Sequence, residues 1–368
     1  MRTHPSRVIV GALLVVAAAC SKDKPAPTPA PPPPATPTPT PAPPAAPTLD
    51  LTQARATFKP LPSRFDAPTN PATPEKIALG RMLYLEPRLS KSQTLSCASC
   101  HQLDHGGVDN AQFSKGHKGQ LGGRNAPTVF NAAGQIAQFW DGRAPDVEEQ
   151  AKGPVLNPVE MAMPDKDYVI TVLASIPGYA DAFKAAFPGE ADPITYDNFG
   201  RAVGAFERGL VTPTRFDEFL AGKDDALAPA EKDGLARFMA AGCTTCHNGV
   251  LVGGGMYMKL GMVEPYANTK DQGRFDLTKN EADRMFFKVA TLRNVADTAP
   301  YFHDGSIAEL PEAVRAMGRL QLGKQLSDED VAAIVTFLKA LSGAPPADYI
   351  KAPTLPPSGP KTPKPDLT

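Results

Sequence analysis

Two stretches of the chain carry a clear helical period. Phe199, Ala202, Val203, Phe206 and Leu210 fall on one face at a spacing of about 3.6 residues, and so do Val331, Ile334, Val335, Leu338 and Leu341. Ser327 is a good N-cap for the second helix, Asp328, Glu329 and Asp330 suit the positive end of its dipole, and Gly343 is its expected stop. Gly106-Gly107, Gly122-Gly123 and Gly253-Gly254-Gly255 break any longer pattern, and no segment alternates with period two. The pattern predicts a mainly α protein with loops between its helices. The apolar run from Val8 to Val16 is too short to span a bilayer.

Composition separates tails from folded body. Thirteen of the 41 prolines lie between Pro25 and Pro47 and six more follow Ala352, so the 42% hydrophobic fraction understates what is left to form a core. With 1–19 read as a signal, 20–48 as a Pro-rich tether and 351–368 as a disordered Pro-rich tail, about 300 residues remain, enough for about two domains. They are placed at 49–212 and 213–350, with the boundary near Val211 to Thr214, where Pro213 follows the first helical stripe. A net charge of -1 and a pI near 6.6 supply no basic field for phosphates, so nucleic-acid binding has no support.

Arg2 and Arg7 before the apolar run, and Ala17-Ala18-Ala19-Cys20 after it, read as a secretion signal. Its ending on cysteine resembles the bacterial lipoprotein box. That resemblance implies lipidation of Cys20 and, with Ser21 next, a periplasmic protein anchored to the outer membrane by its lipid alone; the alternative is cleavage after Ala19 into a soluble periplasmic protein. Residues 22–48 then form a polyproline II spacer reaching about 80 Å at ~3.1 Å per residue.

The four other cysteines form two Cys-x-x-Cys-His runs, Cys97-Ala98-Ser99-Cys100-His101 and Cys243-Thr244-Thr245-Cys246-His247. This spacing suits covalent attachment of haem c: two thiols add across the haem vinyl groups and the adjacent imidazole ligates the iron. A zinc ribbon would place its Cys pairs about 15 to 20 residues apart, and a thioredoxin-like motif has no need of His after both pairs. The sequence also repeats. Thr128 to Asn131 and Phe139 to Gly142 match Thr291 to Asn294 and Phe302 to Gly305 at an offset of 163, and Glu75, Lys76, Leu79 and Arg81 match Glu231, Lys232, Leu235 and Arg237 at 156. Two cytochrome c-like domains from a duplication, each opening on a helix that leads into its haem motif, account for this.

From about residue 60 to 345 the chain resembles the bacterial di-haem cytochrome c peroxidases. The resemblance rests on Gly116-His117-Lys118-Gly119, Arg124-Asn125-Ala126-Pro127-Thr128, Phe139-Trp140-Asp141-Gly142-Arg143, Asn157-Pro158-Val159-Glu160-Met161 and Thr298-Ala299-Pro300-Tyr301-Phe302-His303-Asp304-Gly305 with Met317 beyond it. It implies two haem domains packed around an interdomain calcium held by Asn125, Thr298 and Pro300, oxygen donors that suit this ion. It further implies hydrogen peroxide as substrate and a small cytochrome c or cupredoxin as electron donor.

In the same resemblance Met317 and His247 ligate the C-terminal haem, where electrons arrive, and Trp140 lies between the haems. His101 ligates the N-terminal haem, and His117 caps it until the other haem is reduced. Glu160 is the catalytic acid-base, with Phe139, Gln150 and Pro154 lining its pocket. His105 is expected in a loop near the first haem, and His303 has no assigned role. Dimerisation is usual in the family, although the sequence alone marks no interface. Two other classes remain open: a di-haem electron-transfer cytochrome, which would need neither Glu160 nor a movable His117, and a protein-modifying oxidase, which would carry Tyr at position 317.

Overall fold

Short polar residues open the helices. Asp50, Thr73, Asp146, Asp165, Thr195 and Ser327 each accept from the backbone N–H three residues on, satisfying a donor that the first turn leaves free. The computed structural model describes residues 47–368, with Gly11, Ala12, Leu14 and Ala17 besides; Cys20, the tether before Pro47 and the rest of the signal lie outside the described residues. The helices are α1 (Leu51–Thr57), α2 (Pro74–Tyr84), α3 (Val147–Leu156), α4 (Lys166–Ala174), α5 (Pro177–Ala186), α6 (Tyr196–Glu207), α7 (Arg215–Leu220), α8 (Pro229–Ala241), α9 (Phe275–Thr278), α10 (Leu310–Leu322), α11 (Asp328–Lys339) and α12 (Ala347–Ile350). Four of the five residues of each periodic stripe lie on helices, α6 and α11, with Leu210 and Leu341 just past the helix ends. Two short strands, β1 (Tyr257–Lys259) and β2 (Phe286–Lys288), pair antiparallel with Met258 opposite Phe287; at three residues each they are too short to show a period.

Two apolar clusters organise these elements. The first gathers α2 to α6 around Tyr84, Phe183, Phe199 and Phe206, and the second gathers α7, α8, α10 and α11 around Phe216, Phe238 and Phe337. Their central helix pairs are built alike. A Cβ on Gly80 of α2 would stand 1.9 Å from the Ala202 carbonyl oxygen of α6, and one on Gly234 of α8 would stand 2.0 Å from that of Ala333 in α11. Only glycine lets these backbones approach so closely. Tyr84 then meets Phe206 edge-on at 5.4 Å, and Phe238 meets Phe337 at a tilt at 5.5 Å. This contact register pairs residue 80 with 234, an offset of 154, so the identities expected at 156 lie two residues out of spatial register.

The other repeat is in register. Asn131 and Asn294 share a left-handed backbone, with φ of 59° and 63°, and Phe139 and Phe302 follow with 65° and 70°. Between the two asparagines sits Thr212, fully buried. Its hydroxyl accepts from Asn131 Nδ2 at 2.8 Å and donates to Asn294 Oδ1 at 2.7 Å, while its N–H donates to Asn131 Oδ1 at 3.1 Å. One side chain thus joins equivalent positions of the two halves.

The ends of the folded body depart from the expected boundaries. Ala54 and Phe58 of the α1 region, assigned above to 49–212, belong to the second cluster, with Phe58 edge-on to Phe216 at 5.5 Å. Tyr349, assigned to 213–350, stacks on Phe206 at 5.3 Å and donates its hydroxyl to the Phe206 carbonyl at 2.7 Å. Residues 351–368, expected as a disordered tail, lie extended on the first half. Arg88 donates to the Pro356 carbonyl at 2.8 Å and Gln93 to that of Pro363 at 2.9 Å, while the Asp366 N–H donates to the Lys91 carbonyl at 2.9 Å. Proline stiffens an extended segment and lowers the entropy lost on docking it, which composition alone does not reveal.

Candidate active site

Each Cys-x-x-Cys-His run forms a short helical turn, after α2 in the first half and directly after α8 in the second, and each lines a cavity. The larger cavity, about 710 Å³, is walled by Cys97, Cys100 and His101 together with Asn125, Phe139, Trp140, Gln150, Pro154 and Glu160. The smaller, about 200 Å³, is walled by Cys243, Cys246, His247, Met317, His303 and again Trp140. Apart from His117, the expected residues of each haem site are therefore brought together, and Trp140 borders both cavities. Its indole N–H donates to the Asn125 carbonyl at 2.9 Å, fixing the ring.

The donor chemistry fits covalent haem. All four thiols are unbridged, and burial pushes the Cys243 thiol up to about 11. Burial also holds the His247 imidazole down to about 4, so it is neutral, and its Nδ1 stands 3.3 Å from the Val252 carbonyl. A ring that donates from Nδ1 leaves the Nε2 lone pair for a metal. His101 is likewise lowered by burial, with Asp109 and the Gly107 and Pro127 carbonyls opposing.

Glu160 follows the Asn157 turn at the end of α3. Burial raises its pKa, opposed by the Arg143 guanidinium and by Asn157, whose Nδ2 donates to Oε1 at 2.7 Å. Arg143 itself lies over the Phe139 ring at 3.4 Å. A carboxyl poised in this way can exchange a proton nearer neutral pH than an exposed glutamate does.

His117 is not in the wall of the larger cavity. Its N–H donates to the Glu160 carbonyl at 2.8 Å, and its ring turns to residues 351–368, with Nε2 3.4 Å from the Thr368 backbone oxygen. Gly116 lies so close to residue 159 that a Cβ would stand 1.9 Å from the Val159 carbonyl oxygen.

Around the expected calcium ligands, Asn125 Nδ2 donates to the Ala111 carbonyl at 3.0 Å, and the neighbouring Asn110 donates to the carbonyl of Ala299, between Thr298 and Pro300, at 2.7 Å. Asn110 Oδ1 is buried without a partner. Among the described residues no group of three or more His, Cys, Asp or Glu could hold a metal. A cation here would rest on neutral oxygens, and the donor set fits calcium.

Two residues of the cavity walls escaped the sequence reading. Glu207 borders the larger cavity, with burial lifting it to about 8. Its signal was present, since it lies four residues after Val203 on the apolar face of α6. Lys288 borders the smaller cavity, lowered by burial to about 8, and its N–H donates to the Trp140 carbonyl at 2.8 Å. Nothing in Phe286-Phe287-Lys288 marks it in advance. His303, unassigned from sequence, stacks on Phe287 at 4.2 Å and meets Trp140, its counterpart in the repeat, edge-on at 6.4 Å.

A mainly helical fold with paired Cys-x-x-Cys-His cavities sharing one tryptophan defines a di-haem c-type protein. A sequence profile described as di-haem cytochrome c peroxidase matches residues 74–225. The chain is 48% identical over 319 residues to the cytochrome c551 peroxidase of Pseudomonas aeruginosa, covering 85% of this chain and 91% of that one. It is 49% identical over 303 residues to the cytochrome c551 peroxidase of Nitrosomonas europaea, covering 81% and 89%. Among solved structures, a MauG-like protein associated with microbial copper homeostasis is similar with a TM-score of 0.70 and 26% identity, over 80% of this chain and 97% of that one. The chain belongs to the di-haem cytochrome c peroxidase family and is an oxidoreductase of the peroxidase class; membership implies two haem c groups.

Proposed function

We propose that the protein reduces hydrogen peroxide to water in the larger cavity, with electrons from a small cytochrome c or cupredoxin that arrive at the smaller one. The observation that carries this is Glu160, a carboxyl of raised pKa in the same cavity wall as His101. Haem, bound by Cys97, Cys100 and His101 in one cavity and by Cys243, Cys246, His247 and Met317 in the other, supplies the redox chemistry and the coordination position for peroxide.

The chain's own residues supply the rest. Glu160 takes the proton from the near oxygen of peroxide and returns it to the far oxygen, which leaves as water. The overall conversion takes two electrons and two protons and yields two waters. Asn157 holds Glu160 through Oε1, and Phe139, Gln150 and Pro154 shape the space around it. Trp140 offers an aromatic bridge between the cavities, and His303 packs against it. His117 serves as the removable cap of the larger site, outside the cavity in the arrangement described here. Asn125 with the carbonyls of Thr298 and Pro300 holds a calcium ion between the halves. The thioether of Met317 favours a high-potential, electron-receiving site, and Met rather than Tyr at this position supports a peroxidase over a protein-modifying oxidase. The secretion signal and Cys20 support a periplasmic, lipid-anchored protein at the outer membrane.

The test is Glu160→Gln. The amide oxygen can keep the Asn157 hydrogen bond, so both haem spectra should be retained while turnover falls by about 10²- to 10⁴-fold, the usual worth of a positioned acid-base. Near-normal turnover would remove Glu160 from the mechanism.

A further inference from the structure

Residues 363–368 and the His117 loop meet over a shared base. Lys91 and His117 donate their backbone N–H groups to adjacent carbonyls, those of Met161 and Glu160, each at 2.8 Å. The extended segment is bound to the same spot. The Asp366 N–H donates to the Lys91 carbonyl at 2.9 Å, and Lys91 Nζ reaches the Asp366 carboxylate at 3.3 Å and the Thr368 backbone oxygen at 3.1 Å. That oxygen is the atom facing His117 Nε2 at 3.4 Å.

The segment is anchored upstream on a rigid part of the first half. Arg88, which holds Ser358 and Pro356, is itself clamped by the fully buried Glu86 carboxylate, which also accepts from Tyr179 at 2.6 Å. His117 is only 5% exposed, and its Nδ1 is buried without a hydrogen-bond partner. The imidazole is thus held by Thr368 at one ring nitrogen and left unmatched at the other, which is a seat it can leave when the contact at Thr368 is lost.

We propose that residues 363–368 are a positioning strap that seats His117 outside the larger cavity, so that the oxidised enzyme already offers peroxide an open position. The inference rests on the reading above that this cavity holds the peroxide-reducing haem. The strap acts through His117 and touches neither substrate nor haem.

The test compares the haem-loaded full chain with a version ending after Thr362 and, because truncation could disturb folding, with full-length Lys91→Met, which removes the Lys91 ammonium from Asp366 and Thr368. Three quantities are read: the high-spin fraction of the N-terminal haem in oxidised protein, hydrogen exchange of the amides from 114 to 122, and peroxide turnover with and without prior one-electron reduction. Both variants are expected to lose high-spin signal and to exchange faster in this loop. Their unprimed rate should fall at least about tenfold, while the primed rate stays within about twofold of the parent. Variants with the parent's oxidised spectrum and unprimed rate would overturn the strap, as would a parent whose oxidised N-terminal haem is already low-spin. A parent without turnover in either state would instead refute the peroxidase reading, and the oxidised spectra of the variants would still decide on the strap.

Discussion

Thr212→Val removes one hydroxyl from the point where the two halves are joined. Valine matches threonine in shape, so no cavity forms, and the Thr212 N–H can still donate to Asn131. The loss is the pair of bonds through Oγ1, at 2.8 Å from Asn131 Nδ2 and 2.7 Å to Asn294 Oδ1. Both asparagines are about 1% exposed, so water cannot replace the hydroxyl. Each of the two orphaned buried groups costs about 1–3 kcal/mol, which puts the variant about 2–6 kcal/mol below the parent. Thr212→Ser keeps the hydroxyl and loses one methyl, worth about 1 kcal/mol. Urea unfolding of the haem-loaded protein, followed by far-UV circular dichroism with the slopes compared, measures both. The expected order is parent, then Ser, then Val, with the larger step at Val. A Val variant as stable as the Ser variant would refute the claim that the hydroxyl links the halves energetically.

Two further outcomes follow from the site. Because the Arg143 cation favours the carboxylate form of Glu160, Arg143→Leu should raise the Glu160 pKa further. The acid limb of kcat/KM, which reports the base in its ionised form, should then move to higher pH; an unmoved limb would show that Arg143 does not act on the titrating group. Removal of calcium by a chelator should slow turnover, with recovery on adding calcium back, and an unchanged rate and spectrum would show that the Asn125, Thr298 and Pro300 oxygens hold no functional ion.

What could be read from the sequence was what repeats on a short period or carries its own chemistry. The α6 and α11 stripes and the paired Cys-x-x-Cys-His runs are local patterns, and the structure places them on helices and cavity walls as expected. The 163-residue repeat also carried through, because its left-handed asparagines and phenylalanines need particular backbone shapes. The preceding helices did not keep their expected register, since Gly80 and Gly234 are matched by how closely the partner helix approaches, a tertiary demand that the Glu-Lys identities do not report. The exchange of end segments was hidden for a similar reason. Phe58 could pack on any apolar surface, and only the folded chain shows that Phe216 supplies it. Proline content suggested disorder in 351–368, but the hydrogen bonds that dock the segment come from Arg88, Lys91 and Gln93, far away in sequence. Glu207 and Lys288 are buried charges, and single charged residues give no sign of burial until their neighbours are in place.

The most direct test of the central claim is peroxide-dependent oxidation of a reduced small cytochrome c by the calcium-loaded di-haem protein, with its haem spectrum followed at the same time. The account predicts rapid donor oxidation with a high-spin signal present at the N-terminal haem before peroxide is added. Intact di-haem spectra with no peroxide-dependent turnover, before or after one-electron reduction, would contradict it.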